Sequence, residues 1–381
     1  MRIAQVAPLY EAVPPGAYGG TERVIAGLCD GLVAQGHEVT LFAPEGSETA
    51  ATLEAYGEPL RTRFSADELV NLAPHLHLEM FADIYERAHD FDVVHSHLDI
   101  WTFPFARFSD VPTVLTMHGR LDLDFLRDLM PRYSSVPLVS ISNDQRGAVA
   151  DLDLTWAATV YNGLDLASYA EVPHDSEGYL AFVGRIAEEK GPVAAIEIAR
   201  RAGLPLRMAA KVDPLDEEYY EQEVKPHIGH GVDFIGEIDE QQKPQFYAGA
   251  RATLFPSDWP EPFGLVMIES LAAGTPVIAL RRGSVPEVIV DGVTGFICDD
   301  WDEMAEAAER ISEIDPEDCR RHAQKFSTDA MCRGYTEVYE RLLGRPSRPV
   351  DRVVPPPVRV SSNATSNGAR PGSVQRSGTR R

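Results

Sequence analysis

Ile3-Ala4-Gln5-Val6-Ala7-Pro8 is an apolar run of strand length. Tyr18-Gly19-Gly20-Thr21-Glu22 follows it, and the amphipathic stretch from about Thr21 to Gln35 reads as a helix with Gly36 as its cap. Val39-Thr40-Leu41-Phe42-Ala43 is the next strand. Strand, glycine-rich loop, helix and strand make a βαβ unit, which implies parallel strands covered on both faces.

The rhythm continues outward from there. Val93-Val94-His95-Ser96, Thr113–Thr116 and Leu138–Ile141 read as strands, the first of them after a helix carrying Met80, Ile84 and Ala88. A second set follows: Tyr179–Val183, a helix over Val193–Ala202, then strands at Leu206–Ala209, Val232–Ile235, Ala252–Phe255 and Pro276–Ala279. The expected fold class is therefore α/β, with two Rossmann-like doubly wound domains. An Asn-Gly turn in Tyr161-Asn162-Gly163-Leu164-Asp165 interrupts the pattern and marks the join, giving domains over 1–164 and 165–327. A last helix spans roughly 328–343. Residues 344–381, rich in Pro, Ser, Gly and Arg, read as a disordered tail. Open parallel sheets bind ligands beyond the carboxyl ends of their strands, so two facing domains would hold a ligand in the cleft between them.

Composition narrows the function. The chain has 381 residues and a formal net charge of −24, which argues against a nucleic-acid-binding surface. The tail is the exception, with eight arginines and a single acid, Asp351. Such a tail could touch anionic lipid headgroups, or it could simply be solvated. Cys29, Cys298, Cys319 and Cys332 match no metal-binding spacing and suggest a reducing compartment. The apolar run at the N-terminus is too short for a signal peptide, and no segment is long enough to span a bilayer. A cytoplasmic location, with or without peripheral contact at the inner face of the membrane, is the expectation.

Five stretches could carry chemistry, and all fall at strand ends or helix starts. Glu261-Pro262-Phe263-Gly264-Leu265-Val266-Met267-Ile268-Glu269 places one carboxylate in a Pro-flanked loop and another on an apolar helix. The second is costly to bury unless a protein group or a polyhydroxylated ligand satisfies it. Gly19 and Gly20 allow close backbone approach beside a helix N-terminus that can receive an anion; the alternative is a flexible loop with Thr21 as a cap. Arg185 follows a strand and Lys190 lies five residues later, a pair suited to a diphosphate unless Lys190 only pairs with Glu188 or Glu189. His118, in Thr116-Met117-His118-Gly119, could meet a hydroxyl or act on a proton. Lys211 sits past the end of a buried strand and needs an anionic partner, either a phosphate or one of Asp213, Asp216 and Glu217. His95, Ser96, His97 and Asp99 form only a weak metal-like group. The dinucleotide, P-loop, G-x-S-x-G and H-E-x-x-H patterns are missing.

These residues together resemble the retaining glycosyltransferases of family 4, which have the GT-B fold. The resemblance rests on Glu261 and Glu269 with Phe263-Gly264 between them, and extends in order through Gly19-Gly20-Thr21, His118-Gly119, Asn162–Asp165, Gly184-Arg185 with Lys190, Phe234–Gly236, Gly274–Ala279, Gly283–Glu287 and Asp291–Gly295. It implies a hexosyl transfer from a nucleotide-diphosphate sugar to a hydroxyl acceptor, with retention of configuration and no cofactor or metal. The acceptor would be a carbohydrate, a lipid-linked group or a small molecule, and family habit suggests a UDP-sugar. Glu261 would hold sugar hydroxyls, and the backbone of Phe263, Gly264 and Leu265 would lie against sugar and phosphate. Glu269 would take the ribose, Arg185 and Lys190 the diphosphate, Gly19 and Gly20 the β-phosphate, and His118 the donor sugar. The final helix would cross back onto the first domain. Many relatives have a glycine-rich turn where Ala209-Ala210-Lys211-Val212-Asp213 stands, which leaves Lys211 either a third cation or a group that reaches the acceptor. Asp99, Trp101 and Arg120 are candidates on the acceptor side. A sugar-phosphate synthase, a pyridoxal-type phosphorylase and a non-catalytic nucleotide-sugar binder are the competing readings.

Overall fold

The computed structural model describes residues 1–16 and 19–345. The expectation of a disordered tail falls on 346–381, outside the described residues. The first half is a seven-stranded sheet built from β1 (Arg2–Val6), β2 (Glu38–Ala43), β3 (Thr52–Ala55), β4 (Val93–Ser96), β5 (Thr113–Met117), β6 (Leu138–Ser140) and β7 (Trp156–Thr159), in the order β3-β2-β1-β4-β5-β6-β7. The second half is a six-stranded sheet of β8 (Tyr179–Arg185), β9 (Leu206–Lys211), β10 (Val232–Gly236), β11 (Ala250–Phe255), β12 (Val277–Leu280) and β13 (Gly295–Cys298), in the order β10-β9-β8-β11-β12-β13. Every strand pairing is parallel. Such strands are buried on both faces and read as continuous apolar runs, as β5 shows with all five residues buried.

Strand order reverses beside β1 in the first sheet and beside β8 in the second. These are the switch points where a crevice opens past the strand ends. Gly19-Gly20 follows β1, and Arg185 ends β8, so both expected phosphate-binding stretches leave the sheets at those crevices.

Two strands run further than the apolar pattern indicates. β8 continues through Gly184 and Arg185, and β9 continues through Ala210 and Lys211, because those residues pair with one another, Gly184 with Ala210 and Arg185 with Lys211. Lys211 is thus the last residue of a strand, not a residue beyond it. The first helix, Gly20–Ala34, starts one residue earlier than expected, and its N-cap Gly19 makes no side-chain capping bond. Thr21 lies within the helix and does not cap it.

The last helix, Thr328–Leu342, belongs to the core of the first half. Its Met331, Cys332, Tyr335, Val338 and Tyr339 pack with Val24, Leu28 and Leu32 of the first helix and with Ile3 and Val39 of the sheet. The chain crosses between the halves twice at one place: Leu164 N–H donates to the Phe326 carbonyl at 3.0 Å, and Thr328 N–H donates to the Leu164 carbonyl at 3.0 Å.

Candidate active site

The strand ends of both halves line one cleft. Gly19, Gly20, Arg23 and His118 line it from the first half. Gly184, Lys190, Lys211, Lys243, Glu261, Phe263, Gly264, Leu265 and Glu269 line it from the second. Residues up to 250 positions apart in sequence are brought together because each follows a parallel strand.

Glu261 sits on the loop after β11. That loop is held from below: Ser284 N–H donates to the Glu261 carbonyl at 3.0 Å, and Ser284 Oγ donates to the Phe263 carbonyl at 2.6 Å. Gly283 makes this approach possible, since a Cβ there would lie 2.4 Å from the Glu261 carbonyl oxygen. The Glu261 carboxylate forms an ion pair with Lys190 through Oε2, and the same oxygen accepts from the Trp259 indole N–H at 2.9 Å. Lys190 also lies over the Trp259 ring, 5.1 Å from its centroid, and Arg120 of the first half lies 5.8 Å from the same centroid. A cation over an indole face is stabilised by the ring quadrupole.

The carboxylates next to Lys190 in sequence are not its partners. Arg185 takes one of them instead: its Nη2 is 2.5 Å from Glu189, and its Nη1 is 3.3 Å from Asp216. The Arg185 side chain is therefore engaged away from the cleft lining, whereas Lys190 and Lys211 line it.

Glu269 is on the helix Leu265–Ala272, whose N-terminus opens onto the cleft at Gly264 and Leu265. Its side chain is 1% exposed, so burial pushes its carboxyl up. Lys243 and Arg23, helped by the Tyr247 hydroxyl, more than offset that and hold it below the usual range. Oε1 accepts from Arg23 at 2.7 Å and from Lys243 at 2.9 Å, and Oε2 accepts from Tyr247 at 2.7 Å. Glu240 touches the same two cations, at 2.5 Å from Arg23 and 2.8 Å from Lys243. Two carboxylates against two cations leave the group near neutral, and buried charges persist only in such company. Arg23 comes from the first helix, so this group ties the two halves together.

His118 follows β5 and is half-buried, with its Nε2 2.8 Å from His97 Nδ1. Burial pushes His118 down to about 4, so it is neutral at pH 7. His95 and His97 do not form a metal site with Asp99. Their ring nitrogens bond to Tyr339, Thr116, Gln5 and His118, and no group of three potential metal ligands occurs among the described residues. Asp99 lies close by, its Oδ2 4.0 Å from where a Gly119 Cβ would be. Its Oδ1 is buried with no hydrogen-bond partner, and burial pushes the carboxyl up to about 6.

Sequence reasoning missed Arg23, Lys243, Glu240 and Trp259. Arg23 and Trp259 had a visible signal, since they lie beside the Gly-Gly loop and Glu261. Lys243 and Glu240 had none, because Asp239-Glu240-Gln241-Gln242-Lys243 reads as a polar turn, and nothing in it shows that its lysine will be buried.

Two parallel α/β halves with a cation-lined, carboxylate-bearing cleft between their strand ends define the GT-B class. Comparison with known proteins agrees. Residues 18–168 match the family described as Glycosyltransferase Family 4, and residues 170–328 match Glycosyl transferases group 1. Glycogen synthase of Mycobacterium tuberculosis is 28% identical, the alignment covering 85% of this chain and 89% of that protein. Phosphatidyl-myo-inositol mannosyltransferase of Mycolicibacterium smegmatis is also 28% identical, over 83% and 86%. Anabaena HepE, solved in complex with UDP and glucose, superposes with a TM-score of 0.68 at 19% identity, covering 90% of this chain and 100% of that one. The chain belongs to the family 4 glycosyltransferases, and its activity is glycosyl transfer from a nucleotide sugar.

Proposed function

We propose that the cleft binds a uridine diphosphate hexose and passes the hexosyl group, with retention and without a metal, to a hydroxyl acceptor on the first-half side. The observation that carries this reading is what one cleft lining brings together: Glu261 with Lys190, Glu269 with Arg23 and Lys243, and Lys211 beside the N-terminus of a helix, Leu265–Ala272. Carboxylates suit the hydroxyls of sugar and ribose, and the cations and helix N-terminus suit the diphosphate. Glu261 keeps Oε1 for a sugar hydroxyl while Lys190 and Trp259 hold Oε2. Glu269 would trade a bond to Arg23 for ribose hydroxyls. Lys190, with Lys211, faces the diphosphate, and Arg185 joins them once it leaves Glu189 and Asp216. Gly19 and Gly20 present backbone to the β-phosphate, and Phe263, Gly264 and Leu265 lie along the sugar and phosphate.

The leaving diphosphate gains charge as the glycosidic bond breaks. Fixed cations and helix N-termini aimed at that charge lower the barrier without reorganising. Front-face attack assisted by the leaving phosphate accounts for retention without a protein nucleophile. The UDP held by HepE makes uridine the first base to try. The reading places the enzyme in the reducing cytoplasm, where its four buried free thiols persist, with an acceptor that is a carbohydrate, a lipid-linked group or a small molecule. No helix among the described residues is long and apolar enough to cross a membrane.

The test is unfolding of the purified chain with UDP, GDP, ADP and inorganic phosphate. A ligand at a hundred times its Kd adds about 2.7 kcal/mol. UDP should raise the midpoint most. Equal shifts for all four, or none, would overturn the donor assignment.

A further inference from the structure

We propose that His97 is a positioning residue that fixes His118 as its Nε2–H tautomer, so that His118 Nδ1 offers a lone pair to a donor-sugar hydroxyl. This rests on the reading of the cleft as the donor site. His97 is buried and belongs to no part of the cleft lining, yet its Nδ1 is 2.8 Å from His118 Nε2. One of those two nitrogens carries the proton, and the orientation of the Gln5 amide decides which.

His97 Nε2 is 3.0 Å from Gln5 Oε1. An amide oxygen only accepts, so His97 is protonated at Nε2 and bare at Nδ1. His118 must then donate from Nε2, which leaves its own Nδ1 bare. Among the described residues, that Nδ1 has no protein partner, and His118 lines the cleft. The other end of the Gln5 amide is compatible with the same polarity. Gln5 Nε2 donates to the Tyr339 hydroxyl at 3.0 Å, and that hydroxyl lies 2.7 Å from His95 Nδ1, to which it can donate in turn. His95 Nε2 is 2.7 Å from Thr116 Oγ1, itself 2.9 Å from the Tyr335 hydroxyl, and the same sense of donation can run on to that end.

With the Gln5 amide set, His97 and then His118 take their direction from it. Reversing the Gln5 amide would reverse the bonds along this line and put a proton on His118 Nδ1. The line is buried, and an unmade bond in it costs more than a neutral one gained at the surface. Two of its members, Tyr339 in the middle and Tyr335 at the end, belong to the last helix, which is thus tied to the first half by hydrogen bonds as well as by packing.

The experiment has two arms on the full chain. In the first, long-range proton–nitrogen spectra of the 15N-histidine-labelled protein, without any donor, report the tautomers. His97 and His118 should both carry the proton on Nε2. A proton on His118 Nδ1 would overturn the proposal. His97→Phe should leave His118 in a mixture of tautomers, whereas His97→Asn, whose side-chain oxygen lies near the lost Nδ1, should keep the Nε2–H form. In the second arm, turnover of UDP-glucose and its monodeoxy analogues is compared between wild type and the two variants. His97→Phe should lower kcat/KM for UDP-glucose about tenfold, the worth of one buried hydrogen bond. It should have no effect with the one analogue lacking the hydroxyl that His118 meets, and His97→Asn should restore most of the loss. An equal loss on every analogue would mean that His97 only supports the fold, and would sink the proposal. If no nucleotide sugar is turned over at all, the donor reading falls, while the spectra still decide the tautomer.

Discussion

Glu261 shows how a side chain of the cleft is held by a neighbour, Trp259, that does not line it. Trp259 donates to Glu261 Oε2 at 2.9 Å and carries Lys190 on its face. Trp259→Phe keeps an aromatic face, a smaller one, and removes the donor. It should lower kcat/KM on a nucleotide sugar about tenfold with little change in unfolding midpoint, as expected for one hydrogen bond to a charged group. An unchanged kcat/KM would remove Trp259 from the account. His118 gives a pH dependence whose sign follows from its burial. The unfolded chain binds a proton on this residue near pH 6.5, while the folded chain resists it down to about 4. The unfolded state therefore binds more protons across that window, and stability falls as pH falls through it. Urea midpoints should drop between pH 6.5 and 4, and His118→Asn should show a shallower drop. A slope unchanged by the substitution would contradict the assignment. At this scale the sequence displayed Glu261, Glu269, Lys190 and His118 plainly. It did not display that Arg185 turns to Glu189 and Asp216, because an arginine beside two acids and a strand end is written the same way whether it faces inward or out.

At the scale of elements, the strands that escaped notice share a position. β3, β7 and β13 are all sheet edges. An edge strand has one neighbour and one exposed side, so Thr52-Leu53-Glu54-Ala55 and Trp156-Ala157-Ala158-Thr159 need no apolar run. Central strands such as β1 and β5 are buried on both faces and announce themselves. The last helix was legible because its buried face repeats at helical spacing. Its partner surface was not. Gly31 of the first helix faces it, and a Cβ there would lie 2.5 Å from Cys332 Sγ and 3.0 Å from Thr328 Cγ2. Gly31→Val should therefore destabilise the protein by about 1–3 kcal/mol, the usual cost of overpacking, read as a lower urea midpoint. A neutral substitution would mean that the helix pair is looser than the packing of Tyr335, Val338 and Tyr339 indicates.

At the scale of the whole molecule, contacts besides the chain crossings join the halves around the cleft. Arg23 reaches Glu269 and Glu240. Arg120 reaches Trp259. Glu287 accepts from the Asn143 and Asp144 backbone N–H groups, both at 2.8 Å, and from the Tyr161 hydroxyl at 2.9 Å. A chain with a net charge of −24 thus gathers Lys190, Lys211, Lys243 and Arg23 around one cleft, where an anionic donor would meet them. The central claim is that this cleft holds a nucleotide sugar with Glu261 on the sugar, and turnover of UDP-glucose by wild type and Glu261→Gln tests it most directly. Proton NMR of the released sugar gives the rate and the anomer together. The account predicts slow release of UDP with α-glucose appearing first, and a loss of about 10²–10³ in the variant, the range seen when one preorganised transition-state contact is removed. Equal rates in the two proteins, or β-glucose as the first product, would contradict it.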